Sequence, residues 1–154
     1  MDNDKDLSVS HFIEAPCEAI WLAWEKPEHL AKWWAPSPIQ TTVHQLNLHP
    51  GGAFNTSMRM EDGSEFGGEA CFLDVVKHER IIWTSALQGG WRPNKDDMPF
   101  TAIITMEQRP GGTQYTATVL HQNDEDRQKH ADMGFGDGWT LCIRQLGELA
   151  QQLA

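Results

Sequence analysis

His121 is the side chain of this sequence best placed for acid–base work. It ends a predicted strand on the face that carries Tyr115 and Val119. An imidazole there could anchor a bound molecule or act as a general base. A hydrogen-bonded strand-end histidine fits the same pattern. Other reactive constellations do not assemble. His44 and His49 are an odd number of positions apart on one predicted strand and point to opposite faces. His121, Asp124, Asp126 and His130 straddle a loop and a helix start. Neither set has the spacing of zinc or iron ligands, so no metal is expected and solvated surface is the default. Cys17, Cys71 and Cys142 are odd in number, far apart, and without a C-x-x-C pair or an evident histidine partner. They read as small buried hydrophobes. No G-x-S-x-G is present. Gly51-Gly52 and Gly111-Gly112 precede strands, which makes them hairpin turns and not phosphate loops. Glu69 and Asp74 would form an acid–base pair only if both faced inward, and Glu69 faces solvent if Phe66 faces in. The expectation is no catalytic residue and no cofactor.

A second set of residues is apolar. Phe54, Met58, Met60, Phe66, Phe72, Trp83, Phe100, Ile104 and Met106 recur on predicted strands. Phe135, Trp139, Cys142 and Leu146 follow on a predicted helix. Methionine adapts to varied shapes, which suits a site for apolar molecules. Alternation alone does not separate a lined cavity from a filled core, and the filled core is the simpler reading. Trp91 sits apart, in the irregular stretch 88–99, QGGWRPNKDDMP. It is read as a lid over a pocket mouth, with an anchor for the loop as the alternative. Thr84, Tyr115 and His121 are the polar groups available to orient a bound molecule.

These residues need elements to place them. Residues 12–36, FIEAPCEAIWLAWEKPEHLAKWWAP, hold four of the seven tryptophans. Pro16 and Pro27 suit first turns of helices. Ile20, Ala23 and Trp24 share one helical face, and Leu30, Trp33 and Trp34 repeat the spacing. Glu18 and Glu28 favour helix starts, and Ala35, Pro36 and Pro38 stop the second helix. The segment predicts two short helices joined at a proline. Its spacing assigns Trp24, Trp33 and Trp34 to packing across the open end of a sheet. Trp21 lies at the edge of that face, where it would border a cavity mouth.

Strand signals follow, with turns at Pro50-Gly51-Gly52, Glu61-Asp62-Gly63 and Pro110-Gly111-Gly112. Gly67-Gly68 suggests a bulge. Phe135, Trp139, Cys142, Leu146, Leu149 and Leu153 are spaced 4, 3, 4, 3, 4 and form one apolar seam. Gly134, Gly136 and Gly138 each disfavour helix by about 1 kcal/mol relative to alanine. The regular helix is therefore expected from near Gly138, after a loose approach from Asp124. The sum is a strand, two short helices, about six antiparallel strands and a long helix. That is an α+β arrangement in which the sheet buries its concave face on the last helix.

At 154 residues one domain is expected, with a core that needs no disulfides. The domain is read as residues 7–154, after a frayed acidic N-terminus at 1–6 that holds Asp2, Asp4 and Asp6. A net charge of −10 and a pI near 5.0 would repel nucleic acid and anionic membranes. No signal peptide or long apolar run is apparent. The expectation is a reduced, cytoplasmic protein.

Several motifs fall in a telling order. They are Ala15-Pro16, Ile20-Trp21-Leu22-Ala23-Trp24, Pro27-Glu28-His29-Leu30, Trp33-Trp34-Ala35-Pro36 and Pro50-Gly51-Gly52. Glu79-Arg80 before Ile81-Ile82-Trp83-Thr84, Gly112-Thr113, His121 and Gly138-Trp139 complete the series. The series resembles the START-like (SRPBCC, birch-pollen-allergen-like) superfamily, and within it the bacterial homologues of the Hsp90 ATPase activator. The resemblance spans roughly residues 7–153. The chain departs from the pattern at Asn47 and His49, where an acid and an arginine are common. It also departs at Lys77-His78, in place of a Pro-Pro turn, and at Lys26, in place of a capping Ser, Thr or Asp.

The resemblance implies a helix-grip fold: a curved antiparallel sheet of about six to seven strands, two short helices after strand 1, and a long C-terminal helix across the sheet. It implies a cavity between sheet and helix that binds a small hydrophobic or aromatic molecule. The site residues would be Met58, Met60, Phe66, Phe72, Trp83, Trp91, Phe100, Ile104, Tyr115, His121, Phe135, Trp139, Cys142 and Leu146. Two alternatives stand beside this one. One is a chaperone-associated interaction module of the stress response; the other is a cyclase or dehydratase. No nucleic-acid or membrane partner is expected, and monomer and homodimer both stay open.

Overall fold

Pro16 ends the first strand's exit and opens the first helix. In the computed structural model, which describes residues 5–154, β1 (Asp6–Ile13) leads through Ala15 into α1 (Cys17–Glu25) with Pro16 as its N-cap. Pro27 is the first residue of α2 (Pro27–Leu30), where a missing N–H costs nothing. Lys26 precedes it without a side-chain cap, as its chemistry dictates. Ile20, Ala23, Trp24 and Leu30 are fully enclosed. Asp6, expected in the frayed terminus, pairs with Leu120 as the first residue of β1. Lys5 of that stretch is bonded through its carbonyl to His121, and Met1 to Asp4 lie outside the described residues.

The strands β2 (Gln40–Leu46), β3 (Ala53–Arg59), β4 (Glu65–Val76) and β5 (Arg80–Thr84) follow by tight turns. A small ribbon, β6 (Leu87–Gln88) with β7 (Arg92–Pro93), gives order to the stretch predicted as irregular. Then β8 (Phe100–Arg109) and β9 (Gly112–His121) form a long hairpin. The seven long strands make one antiparallel sheet in the order β1-β9-β8-β5-β4-β3-β2. The predicted bulge at Gly67-Gly68 does not form, because both glycines stay in register with Ser57 and Thr56. The register shifts instead at Leu73, between Phe72 and Asp74, and on β2 at His44. An extra residue bends its strand, so these two shifts help to curve the sheet.

Asn123 caps α3 (Asp124–Asp132), its Oδ1 accepting from the Asp126 N–H at 2.7 Å. Gly134, at φ 92°, then turns the chain into α4 (Phe135–Leu153). The helix starts at Phe135 and not near Gly138. Packing outweighs glycine's poor propensity here, since Phe135, Leu146 and Leu149 of the predicted seam are buried, with Ile143 beside them. The architecture is the helix grip. α4 packs on α1, α3 and the edge strand β1. Among the described residues no helix is long and apolar enough to cross a membrane.

One side chain ties α4 to the helix pair. Gln145 Nε2 donates to the Trp33 carbonyl at 3.2 Å and to the Ala35 carbonyl at 2.8 Å. Its Oε1 accepts from the Ser37 N–H at 2.9 Å. Replacing Gln145 by leucine is expected to cost about 1–3 kcal/mol, because half-buried carbonyls lose their donor. Urea unfolding should show a lower midpoint with an unchanged slope. An unmoved midpoint would mean that water replaces the amide.

Candidate ligand cavity

Between α4 and the strands lies a cavity of about 900 Å³. That is near the top of the roughly 300–1,000 Å³ typical of small-molecule sites. Trp24, Trp33 and Trp34 wall it from the helix pair. Phe54, Trp83, Phe100, Ile104, Tyr115 and Ala117 wall it from the sheet. Trp139, Cys142 and Ile143 come from α4, and His130 from α3. Met58, Phe66, Gly67, Gly68, Glu69, Lys95 and Asp96 continue the lining along β3, β4 and the β7–β8 loop.

The aromatic walls brace one another. The Phe54 ring centre lies 4.9 Å from Trp34, 5.3 Å from Trp83 and 4.9 Å from Phe72. Trp83 is in turn 5.4 Å from Phe100. Most of these pairs meet edge to face, the geometry the ring quadrupole favours. Indole N–H groups pin two of the rings. Trp24 Nε1 donates to Tyr115 Oη at 3.1 Å, and Trp33 Nε1 donates to the Ala23 carbonyl at 2.9 Å. Trp83 differs: it is 5% exposed, and its indole N–H is buried without an acceptor.

Three ionisable groups of the wall are held neutral. Burial pushes the Tyr115 phenol well above its ordinary range. Burial also pushes the Cys142 thiol up to about 12, and the thiol donates to the Trp34 carbonyl at 3.4 Å. His130 is brought down to about 4, first by burial and then by the neighbouring His121. The two imidazoles are coupled: His121 Nε2 lies 2.9 Å from His130 Nδ1. His121 Nδ1 lies 2.8 Å from the Lys5 carbonyl, which can only accept. His121 therefore carries its proton on Nδ1, its Nε2 accepts, and His130 donates through Nδ1. The neutral His130 ring then keeps a bare Nε2.

Eight predicted site residues line the cavity: Met58, Phe66, Trp83, Phe100, Ile104, Tyr115, Trp139 and Cys142. Phe66 does so as an exposed residue, at 63%. Six do not. Met60 opens the β3–β4 turn, its N–H bonded to the Ser64 carbonyl. Phe72 is stacked behind Phe54. Leu146 is fully buried in the core, and Phe135 packs 4.9 Å from Trp139. His121 stands behind His130 and reaches the cavity only through it. Trp91 is no lid. It is 53% exposed and lies across Gly51, where an added Cβ would approach the indole to 2.5 Å.

The tryptophans of the helix pair also exchange roles. Trp24, Trp33 and Trp34 line the cavity. Trp21 is buried away from it, bonded to Glu25 and set edge-on to His78. Helical spacing misleads because α2 ends at Leu30, so Trp33 and Trp34 sit on a turn. His130 was missed, though a signal existed. It follows the buried Asp126 by four positions, which puts both on one face of α3.

The depressed His130 has a consequence for stability. The unfolded imidazole titrates near 6.5 and the folded one near 4, so between these values the unfolded chain binds more protons. This group's contribution to stability is present above pH 6.5 and is lost as pH falls toward 4. His130→Phe should flatten that part of a stability–pH profile measured by denaturant midpoints. A profile identical to wild type would show that His130 does not titrate as its surroundings dictate.

The family model described as activator of Hsp90 ATPase homolog 1-like protein matches residues 14–151. A crystal structure from Nitrosomonas europaea is 37% identical and superposes with a TM-score of 0.93, covering 99% of this chain and 97% of that one. One from Mycobacterium smegmatis is 26% identical with a TM-score of 0.81, covering 96% and 91%. A solution structure of an AHSA1-like protein from Aeromonas hydrophila shares the fold, at 23% identity and a TM-score of 0.72 over 97% and 95%. No match is found among curated proteins.

Proposed function

Since this chain belongs to the activator of Hsp90 ATPase homolog 1-like family, and its helix-grip fold encloses a large aromatic chamber, we propose that it binds a small apolar or aromatic molecule between the sheet and α4. The observation that carries this reading is the cavity of about 900 Å³ walled by Trp24, Trp33, Trp34, Phe54, Trp83 and Phe100. Apolar burial supplies the affinity, at about 25 cal/mol per Å² before the costs of association. Rigid rings lose little entropy when a flat molecule slides against them. Tyr115, Cys142 and His130 are uncharged, so an uncharged guest beside them loses no solvation to an unpaired charge.

The family description raises a second reading, a protein module acting on a chaperone ATPase. Exposed Phe12, Met133 and Leu141 belong to three different segments, β1, the α3–α4 junction and α4. With Phe66 and Trp91 they are the large apolar side chains exposed among the described residues, few enough that the cavity ranks first.

N-phenylnaphthylamine, a neutral fluorescent probe, tests the proposal. Wild type should enhance and blue-shift its emission saturably. Met58→Trp, which fills one side of the cavity, and Trp139→Ala, which removes a wall, should each weaken binding by about tenfold or more, the equivalent of ~1.4 kcal/mol. If both variants stay folded and bind the probe like wild type, the cavity is not the site.

A further inference from the structure

The aromatic walls of the cavity are apolar, while polar side chains such as Asn55, Glu69, Lys95 and Asp96 line another part of it. Among the aromatic walls a polar atom is left without a partner in the protein: Nε2 of His130. Its Nδ1 is committed to His121, which the Lys5 carbonyl fixes in turn. The chain of bonds runs one way: the Lys5 carbonyl accepts from His121, and His121 accepts from His130. It leaves a lone pair, not a proton, on the last nitrogen. Phe100 and Phe135, with ring centres 5.2 Å and 5.1 Å from His130, hold that imidazole in place.

We infer that the guest is an uncharged, ring-shaped apolar molecule bearing a hydroxyl group, and that this hydroxyl donates to His130 Nε2. The inference rests on the cavity reading above and adds the chemistry that selects among apolar guests. A hydrocarbon would leave Nε2 without a donor once water is expelled. A carboxylate would bring its lone pairs against the imidazole lone pair, inside a protein of net charge −10. A hydroxyl meets the lone pair with a proton and carries no charge to desolvate. His121 is a positioning residue here: it fixes which nitrogen of His130 is bare.

Three probes of one shape decide it: β-naphthol, β-methylnaphthalene and β-naphthoate, titrated calorimetrically into the full chain at neutral pH. Wild type should bind β-naphthol about tenfold more tightly than β-methylnaphthalene, and β-naphthoate most weakly. His130→Phe keeps a ring in the wall and should bring β-naphthol and β-methylnaphthalene to equal affinity. Nitrogen NMR of wild-type His130 provides a readout that needs no variant. The bare Nε2 signal should shift toward the hydrogen-bonded range with β-naphthol and stay put with β-methylnaphthalene. Equal binding of those two by wild type, tightest binding of β-naphthoate, an unmoved Nε2 signal with β-naphthol bound, or a naphthol preference that survives in His130→Phe would each overturn the hydroxyl assignment while leaving the cavity intact. Failure of all three probes to bind would sink the cavity reading along with it.

Discussion

The Gln145 amide holds α4 to the chain that leaves α2, and the cavity depends on that attachment. Two carbonyls and one N–H of the segment after Leu30 find their partners on this one side chain. One turn earlier the Cys142 thiol reaches the Trp34 carbonyl between them. The turn after Leu30 closes the α2 carbonyls with its own N–H groups, whereas the carbonyls of Trp33, Trp34 and Ala35 take their donors from α4. Because α4 supplies them, its position is set by the helix pair and by β1, not by the middle of the sheet. One helix seam cannot cover the concave face of a curved sheet of seven strands. The uncovered part is the chamber.

Aromatic residues keep that chamber from collapsing. A wall of leucines could repack inward by changing rotamers. Here the rings lean edge to face in a chain from Trp33 through Trp34, Phe54 and Trp83 to Phe100. Moving one ring inward would break contacts on both sides. Hydrogen bonds from Trp24 to Tyr115 and from Trp33 to Ala23 fix the depth of the cluster. Burial meanwhile holds Tyr115, Cys142 and His130 in uncharged forms. Recognition inside is therefore a matter of shape and of a few hydrogen bonds, with formal charge confined to side chains such as Glu69, Lys95 and Asp96.

Periodicity made the frame legible. The 4-3 seam from Phe135 to Leu153 and the alternation of β9 come from geometric rules that tertiary contacts reinforce. Where the rules lapse, so did the reading. Trp33 and Trp34 lie beyond the last residue of α2, so helical spacing misassigned them. The bulge fell at Leu73, an apolar residue without the glycine signature that pointed to Gly67-Gly68. His121 was singled out over His130 because a strand alternation is easier to see than one buried face on a short, highly charged helix. Yet the two are bonded, and the one nearer the cavity is the one with the bare nitrogen. Sequence could find the pair of imidazoles, but only the path of the bonds to the Lys5 carbonyl tells them apart.

Trp83 sharpens the same point. A buried donor left without an acceptor costs about 1–3 kcal/mol, and phenylalanine would fill the wall without that penalty. Trp83 sits on β5 in the middle of the sheet, braced by Trp34, Phe54 and Phe100, so its indole cannot swing away to find a partner. A donor fixed and closed off in such a place costs stability that the packing of the ring cluster offsets. Cavities that serve only as packing faults are lined by groups that lose little when dry. This one holds an unused acceptor, His130 Nε2, on a ring braced by Phe100 and Phe135, and that is intelligible as preorganisation for a guest with a polar group of its own.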